Sequence, residues 1–153
     1  MKQFHHMKLP SKQDFYFDGG CDERYAIEKF LSKSNDDVVK MCKNYTPLSL
    51  ADTFYHVGIR AFNYYAFGFL EYIKEALETK DKEMHFESAS LLLCILDIIE
   101  HHISKSPNEL RQIAFELYSA LQDIKNHPMF DNIHKDNEEK LDSIISKLED
   151  LQQ

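Results

Sequence analysis

Phe54-Tyr55-His56-Val57-Gly58-Ile59-Arg60-Ala61-Phe62-Asn63-Tyr64-Tyr65-Ala66-Phe67-Gly68-Phe69-Leu70-Glu71-Tyr72 holds eight of the chain's nineteen aromatic residues in nineteen positions. At the chain-wide aromatic content of 12%, a stretch of that length holds about two. Such a concentration marks either the centre of a core or an aromatic contact surface. From Ile59 onward the pattern is helical: Ile59, Phe62, Ala66, Phe69, Ile73 and Leu77 fall on one stripe. Tyr64 and Phe67 fall off that stripe, so this helix is apolar on more than one side and is expected to be central. Ser49 to Val57 is ambiguous between the first turns of a helix and an irregular lead-in, with Gly58 as the break.

On the C-terminal side lies a second central helix, Asp81 to Lys105. Met84, Ser88, Leu91, Leu92, Ile95, Ile98, Ile99 and Ile103 recur at three and four, and Leu93, Cys94 and Leu96 add a second face. Small Ser88, Ala89 and Ser90 leave room for a neighbouring helix. Ser106-Pro107-Asn108-Glu109 has the form of a capping box with proline at the first helical position. The stripe of Leu110, Ile113, Ala114, Leu117, Leu121 and Ile124 follows and runs to His127-Pro128. The last helix is expected to open at Asp136, with Leu141, Ile144, Ile145, Leu148 and Leu151 as a narrow apolar seam.

On the N-terminal side, residues 1–20 carry no helical period and read as an irregular segment, within which Phe15, Tyr16 and Phe17 are expected to pack on the body. Gly19 and Gly20 break the chain, and Asp22 caps a helix whose apolar face is Ala26, Ile27, Phe30 and Leu31. Ser34 or Asn35 opens a second short helix with Asp36 and Asp37 at its positive end, which Tyr45, Thr46 and Pro47 close. The expectation is an all-α fold: one helical domain over residues 21–153, a bundle of five to six helices. Ile59–Thr79 and Asp81–Ser104 form its buried central pair.

Composition narrows function more than it assigns it. At 153 residues the chain buries roughly two-thirds of its unfolded surface and needs no staples. Eighteen Lys and Arg stand against 26 Asp and Glu, a net charge of -8, which disfavours nucleic acid and anionic membranes and permits a basic protein partner. Met1 to Pro10 lacks the apolar core of a signal peptide, and no apolar run approaches the length of a membrane span. Cys21, Cys42 and Cys94 form no metal or redox spacing, so the reading is a reduced cytoplasmic protein, with Cys21 the most exposed thiol. No Gly-rich phosphate loop, nucleophile elbow or H-E-x-x-H occurs, and no catalytic residue or cofactor is implied.

Two sets of residues carry functional expectations. Tyr64, Tyr65 and Tyr72 beside Glu71, Glu75 and Glu78 would suit a basic protein partner, since tyrosine supplies contact area at low rotamer entropy. The alternative is that those rings fill the core with their hydroxyls at the surface. Asp97, Glu100 and His101 sit at i, i+3 and i+4, a spacing from which three ligands can hold a divalent metal. The alternative there is a solvated face near a helix C-terminus. A partnered Glu-x-x-His motif, which di-metal bundles take from each of two helices, is missing.

Ala26-Ile27-Glu28-Lys29-Phe30-Leu31-Ser32-Lys33 and Ala61-Phe62-Asn63-Tyr64-Tyr65-Ala66-Phe67-Gly68-Phe69-Leu70 resemble segments of a group of small bacterial proteins. That group shares an Ala-Phe-x-Tyr-Tyr-Leu-Pro-x-Phe-Leu core. The resemblance spans about Ala26 to Ile73, with Ala66 and Phe67 in place of Leu-Pro. It implies a bacterial source and brings no activity or functional residue with it. The leading expectation is therefore a non-enzymatic, cytosolic protein-binding module, in its sharpest form an immunity or inhibitor protein for a basic toxin or nuclease. The alternatives are a metal-dependent helical-bundle enzyme using Asp97, Glu100 and His101, and a structural module self-associating through the Asp136–Leu151 seam. Oligomeric state stays open at this level.

Overall fold

The computed structural model describes residues 8–15, 21–44 and 46–153. Their regular structure is helical, with nine α-helical segments: α1 (Cys21–Phe30), α2 (Asn35–Asn44), α3 (Pro47–Phe54), α4 (Ile59–Leu77), α5 (Lys82–Lys105), α6 (Pro107–Leu110), α7 (Ala114–Lys125), α8 (Phe130–His134) and α9 (Glu138–Leu151). Seven of these have eight or more residues, against the five to six expected. The addition is α3, the ambiguous lead-in: Pro47 stands at its first position with φ pre-set for a helix, and Leu50, Ala51 and Phe54 are buried. The single helix expected from Pro107 to His127 is instead divided into α6 and α7, because a 3₁₀ turn, Arg111–Ile113, tightens the chain between them.

The expected helix starts divide. Asp81 caps α5, accepting from the amides of Glu83 at 3.0 Å and Met84 at 3.2 Å. Ser34 and Asp37 form a reciprocal box at α2, with Ser34 N donating to Asp37 Oδ2 at 2.9 Å and Asp37 N donating to Ser34 Oγ at 3.1 Å. Those bonds hold the Asp37 carboxyl below its ordinary range. The box expected at Ser106 is not formed: Ser106 makes no side-chain cap bond, and only Pro107 marks the helix start. Asp22 lies inside the first turn of α1 rather than before it. The last helix opens at Glu138, not Asp136, because Lys135–Asn137 is a 3₁₀ turn and Asn137 Nδ2 donates across to Ala89 O at 2.8 Å.

Within the segment expected to be irregular, Lys12–Asp14 form a single 3₁₀ turn held by Ser11 and Asp14. Phe15 packs into the core against Tyr65, ring centroids 6.2 Å apart. Tyr16, Phe17, Gly19, Gly20, the Cys21 side chain and Tyr45 lie outside the described residues.

Cross-helix contacts set the topology. Phe62 packs against His102 and Tyr72 reaches Glu87, so α4 and α5 run antiparallel. They are the central pair: α4 packs on α2, α5 and α7, while α5 packs on α3, α4 and α9. Asn35 to Tyr64 O and Lys43 to Glu75 lay α2 parallel to α4. Arg111 to Leu151 O and Lys125 to Asp142 lay α7 antiparallel to α9. Of the α9 seam, Leu141, Ile144, Ile145 and Leu148 are buried within the chain against α5 and α7, and Leu151 is half-buried. The small Ser88–Ser90 surface of α5 does receive a neighbour, the α8–α9 junction, with Ser88 Oγ 3.4 Å from His134 Nε2.

Phe30, Phe54, Phe62, Tyr65 and Phe69 form the aromatic nucleus, with centroid separations from 4.7 Å (Phe54–Phe69) to 6.2 Å (Phe30–Phe69). The buried Tyr65 hydroxyl is shared between Phe30 O at 2.5 Å and Lys33 O at 2.9 Å. These carbonyls flank Ser32, whose φ of 70° is the left-handed turn ordinarily taken by glycine after a helix. The clamp thus holds a strained connection and gives the buried hydroxyl its partners.

Gly68 marks the closest approach of α2 to α4. A Cβ there would lie 2.8 Å from Asn35 Oδ1 and 2.9 Å from Val38 Cβ. Val38 Cβ is fixed to the α2 backbone and cannot swing aside. Gly68→Ala gains about 1 kcal/mol in helix propensity but overpacks this contact at a cost of about 1–3 kcal/mol. We expect a net loss near 1 kcal/mol by chemical denaturation; a gain would mean that α2 slides freely along α4.

Candidate functional site

The tyrosine–carboxylate face expected on α4 does not exist as a surface. Tyr64, Tyr65 and Tyr72 are all buried, because α4 is enclosed by α2, α5 and α7. Tyr64 sets its ring edge-on to Tyr65 at 4.9 Å. The Tyr72 hydroxyl alone reaches an open depression of about 690 Å³, where it donates to Glu87 Oε2 at 3.5 Å. The carboxylates nearby are largely matched within the chain. Glu75 pairs with Lys43 at 2.6 Å and Glu78 with His127 at 2.6 Å, while Glu71 turns a buried Oε2 inward without a hydrogen-bond partner among the described residues. Periodicity alone could not show this, since an off-stripe tyrosine reads alike whether a second helix or solvent covers it.

Asp97, Glu100 and His101 are likewise not assembled for a metal. Lys140 lies 3.3 Å from Asp97 and 2.6 Å from Glu100, and Lys147 lies 2.7 Å from Glu100. The two ammonium groups hold the Glu100 carboxyl down to about 2. His101 instead turns toward Tyr55, ring centroids 6.4 Å apart. No group of three or more His, Cys, Asp or Glu among the described residues is placed to hold a metal ion. The spacing delivers a salt-bridge network that ties α9 to α5. Neither described thiol is activated: burial pushes Cys42 up to about 12, and burial together with Asp97 and Asp52 raises Cys94.

Two other features stand out. The first is a ridge. Phe86, Ser90, Leu93 and Asp97 occupy i, i+4, i+7 and i+11 of α5, on its outer side between α3 and α9. Phe86 is 74% exposed and Leu93 44%. The adjoining face of α3 adds Leu48, Asp52 and, at its C-terminus, Tyr55, again at i, i+4 and i+7. Leu48 and Tyr55 are also exposed. The two faces are neighbours: Asp97 acts on the Tyr55 phenol, and Asp52 on the Cys94 thiol. Four of the seven large apolar side chains exposed among the described residues lie on these two helices. Leu93 was visible in the sequence as part of a second α5 face. Phe86 was missed; its signal was a seven-residue step to Leu93, off the buried stripe.

The second feature is a cavity of about 560 Å³ where the start of α4 meets the end of α5. The N-cap of α4 is Gly58, with φ 81°, a conformation glycine adopts without strain. It offers no side chain to the first-turn amides, and that turn contains no acidic residue. Arg60, His101, His102 and Lys105 line the space, with Phe15 and Tyr55 as apolar wall. His102 is 6% exposed, and its Nδ1 is buried without a hydrogen-bond partner among the described residues.

No protein-family model, curated protein or solved structure matches the chain. Among the described residues no helix is long and apolar enough to cross a membrane.

Proposed function

We propose that this chain is a non-catalytic protein-binding module that docks its partner on the α5 ridge and the adjoining face of α3. The partner surface presents an apolar segment flanked by lysine or arginine. The observation that carries the reading is the alignment of Phe86 and Leu93 beside Leu48 and Tyr55 on two neighbouring helices. A single exposed phenylalanine is ordinary, whereas several apolar side chains along adjacent helices form the kind of patch that partners cover. Asp52 lies within this surface, and the net charge of -8 favours fast encounter with a basic protein. In its sharpest form the module is an inhibitor, such as an immunity protein that covers the basic cleft of a toxin nuclease.

The test compares the wild-type chain with Phe86→Ser/Leu93→Ser, using Phe115→Ser on α7 as an exposed control. A basic protein captured from lysate and eluted by salt is purified and titrated against all three by calorimetry. We expect near-stoichiometric binding that weakens at high salt, is unchanged in the control, and falls by at least about tenfold in the double variant. Equal binding to the double variant, salt-independent binding, or recovery of the chain alone overturns the proposal. A homodimer that dissociates in the double variant also overturns it, since the ridge then serves a second copy.

A further inference from the structure

The cavity at the start of α4 adjoins the docking ridge at Tyr55, and its chemistry is different. The first-turn amides of α4 point out of a 19-residue helix with no side-chain cap, so the positive end of its dipole is unopposed by its own residues. Arg60 and Lys105, both exposed, line the same space, and neither is ion-paired with a carboxylate among the described residues. Lys43, Lys74, Lys125, Lys135, Lys140 and Lys147 are ion-paired with carboxylates, and Arg60 and Lys105 are among the cations that are not.

An independent observation also points to a missing ligand. His102 lines the cavity and is more than nine-tenths buried, with Nδ1 unpartnered. A buried polar nitrogen without a partner costs on the order of 1–3 kcal/mol. Natural structures seldom leave one so unless a ligand or water completes it. Its neighbours do not supply the bond: Phe62 offers a ring face with centroids 4.5 Å apart, and His101 sits edge-on at 5.3 Å.

Two carboxylates also line the cavity. That of Asp14 is engaged by Ser11 N at 2.8 Å and Ser11 Oγ at 3.2 Å. Glu23 lies in the first turn of α1, the end of a helix where a carboxylate is favoured.

From the uncapped α4 amides, the unpaired Arg60 and Lys105 and the orphaned His102, we propose that this cavity binds a small phosphate-bearing ligand. A phosphate group suits the donor set because its oxygens can accept several bonds at once, from helix amides, a guanidinium fork and an ammonium. At about 560 Å³ the cavity is larger than one phosphate group, and the Phe15 and Tyr55 walls suit a short organic portion.

The test is a two-dimensional amide NMR titration with inorganic phosphate, and in a second arm with glycerol 3-phosphate, each at constant ionic strength set by chloride. The expected result is saturable shifts confined to the amides of Ile59, Arg60, Ala61 and His102. Saturation in the millimolar range or below is expected, and affinity should fall at least about tenfold in Arg60→Ala/Lys105→Ala. Both side chains are exposed, so the variant should keep its fold, which its own spectrum verifies. Lys82→Ala, at the far end of α5, should leave the affinity unchanged. Tighter binding of the ester identifies a phosphorylated metabolite as the ligand, and equal binding identifies free phosphate. Shifts that fail to saturate, fall elsewhere or persist undiminished in the double variant overturn the site.

Discussion

Phe54→Ala is expected to lower the unfolding free energy by about 3–5 kcal/mol, the range for emptying a packed phenylalanine site. Phe54 is fully buried and touches three other rings: Phe30 at 5.7 Å, Phe62 at 5.4 Å and Phe69 at 4.7 Å. These come from α1 and from two turns of α4, so its removal loosens the join between α3 and the rest of the core. Domains of this kind have total stabilities of about 5–15 kcal/mol. The variant should therefore be marginal at room temperature, with its urea midpoint moved far down. Phe86→Ala, at an exposed position, should stay within about 0.5 kcal/mol of wild type. The contrast is the informative result. A loss under about 1 kcal/mol at Phe54 would mean that its ring is not in a packed core.

Stability should also fall steeply as pH drops from 6.5 toward 4. Burial holds His102 and His134 down to about 4 from an ordinary 6.5, with smaller contributions from His101 and His85 respectively. The unfolded chain then takes up protons that the folded chain refuses. The neutral histidines' contribution is therefore complete above pH 6.5 and is lost as pH falls through that window. At about 1.4 kcal/mol per pH unit, each histidine contributes on the order of 3 kcal/mol. Equilibrium unfolding at a series of pH values, in buffers free of phosphate, measures the slope. In His102→Asn/His134→Asn the plateau near neutral pH should drop, because packing is lost, while the slope between pH 6.5 and 4 flattens. An unchanged slope between pH 6.5 and 4 would mean that the two histidines do not resist protonation in the folded chain; the depressed carboxyls Asp37 and Glu100 act at lower pH, below their ordinary range.

Some of the candidate site was legible in the residues before any tertiary contact was known. Gly58 was visible as a break, and its cap at α4 is what leaves the cavity's amides free. Leu93 was visible as off-stripe. Asp97, Glu100 and His101 do share one side of α5, yet their partners are Lys140 and Lys147, some forty residues away. No local spacing encodes that pairing. The cavity was invisible for the same reason, because its walls come from the Lys12–Asp14 turn and the ends of α3, α4 and α5.

Helical period and proline positions determined the all-α fold, the central α4–α5 pair and most helix boundaries, because these depend on interactions within a few turns of chain. The residues of α4 are apolar nearly all round, and that property alone required a central position. Which tyrosines are core, which seam is covered, and where apolar side chains stay in water were decided only by packing. Tyr64, Tyr65 and Tyr72 are buried because α2 and α5 close over them; Phe86 is exposed because none of the described residues closes over the outer side of α5. Amphipathic periodicity records which side of a helix prefers contact, but burial depends on which other helices arrive there. That outcome is set by long-range pairings, such as Tyr65 with Phe30 and Lys33, and Asn137 with Ala89, that join segments distant in the chain.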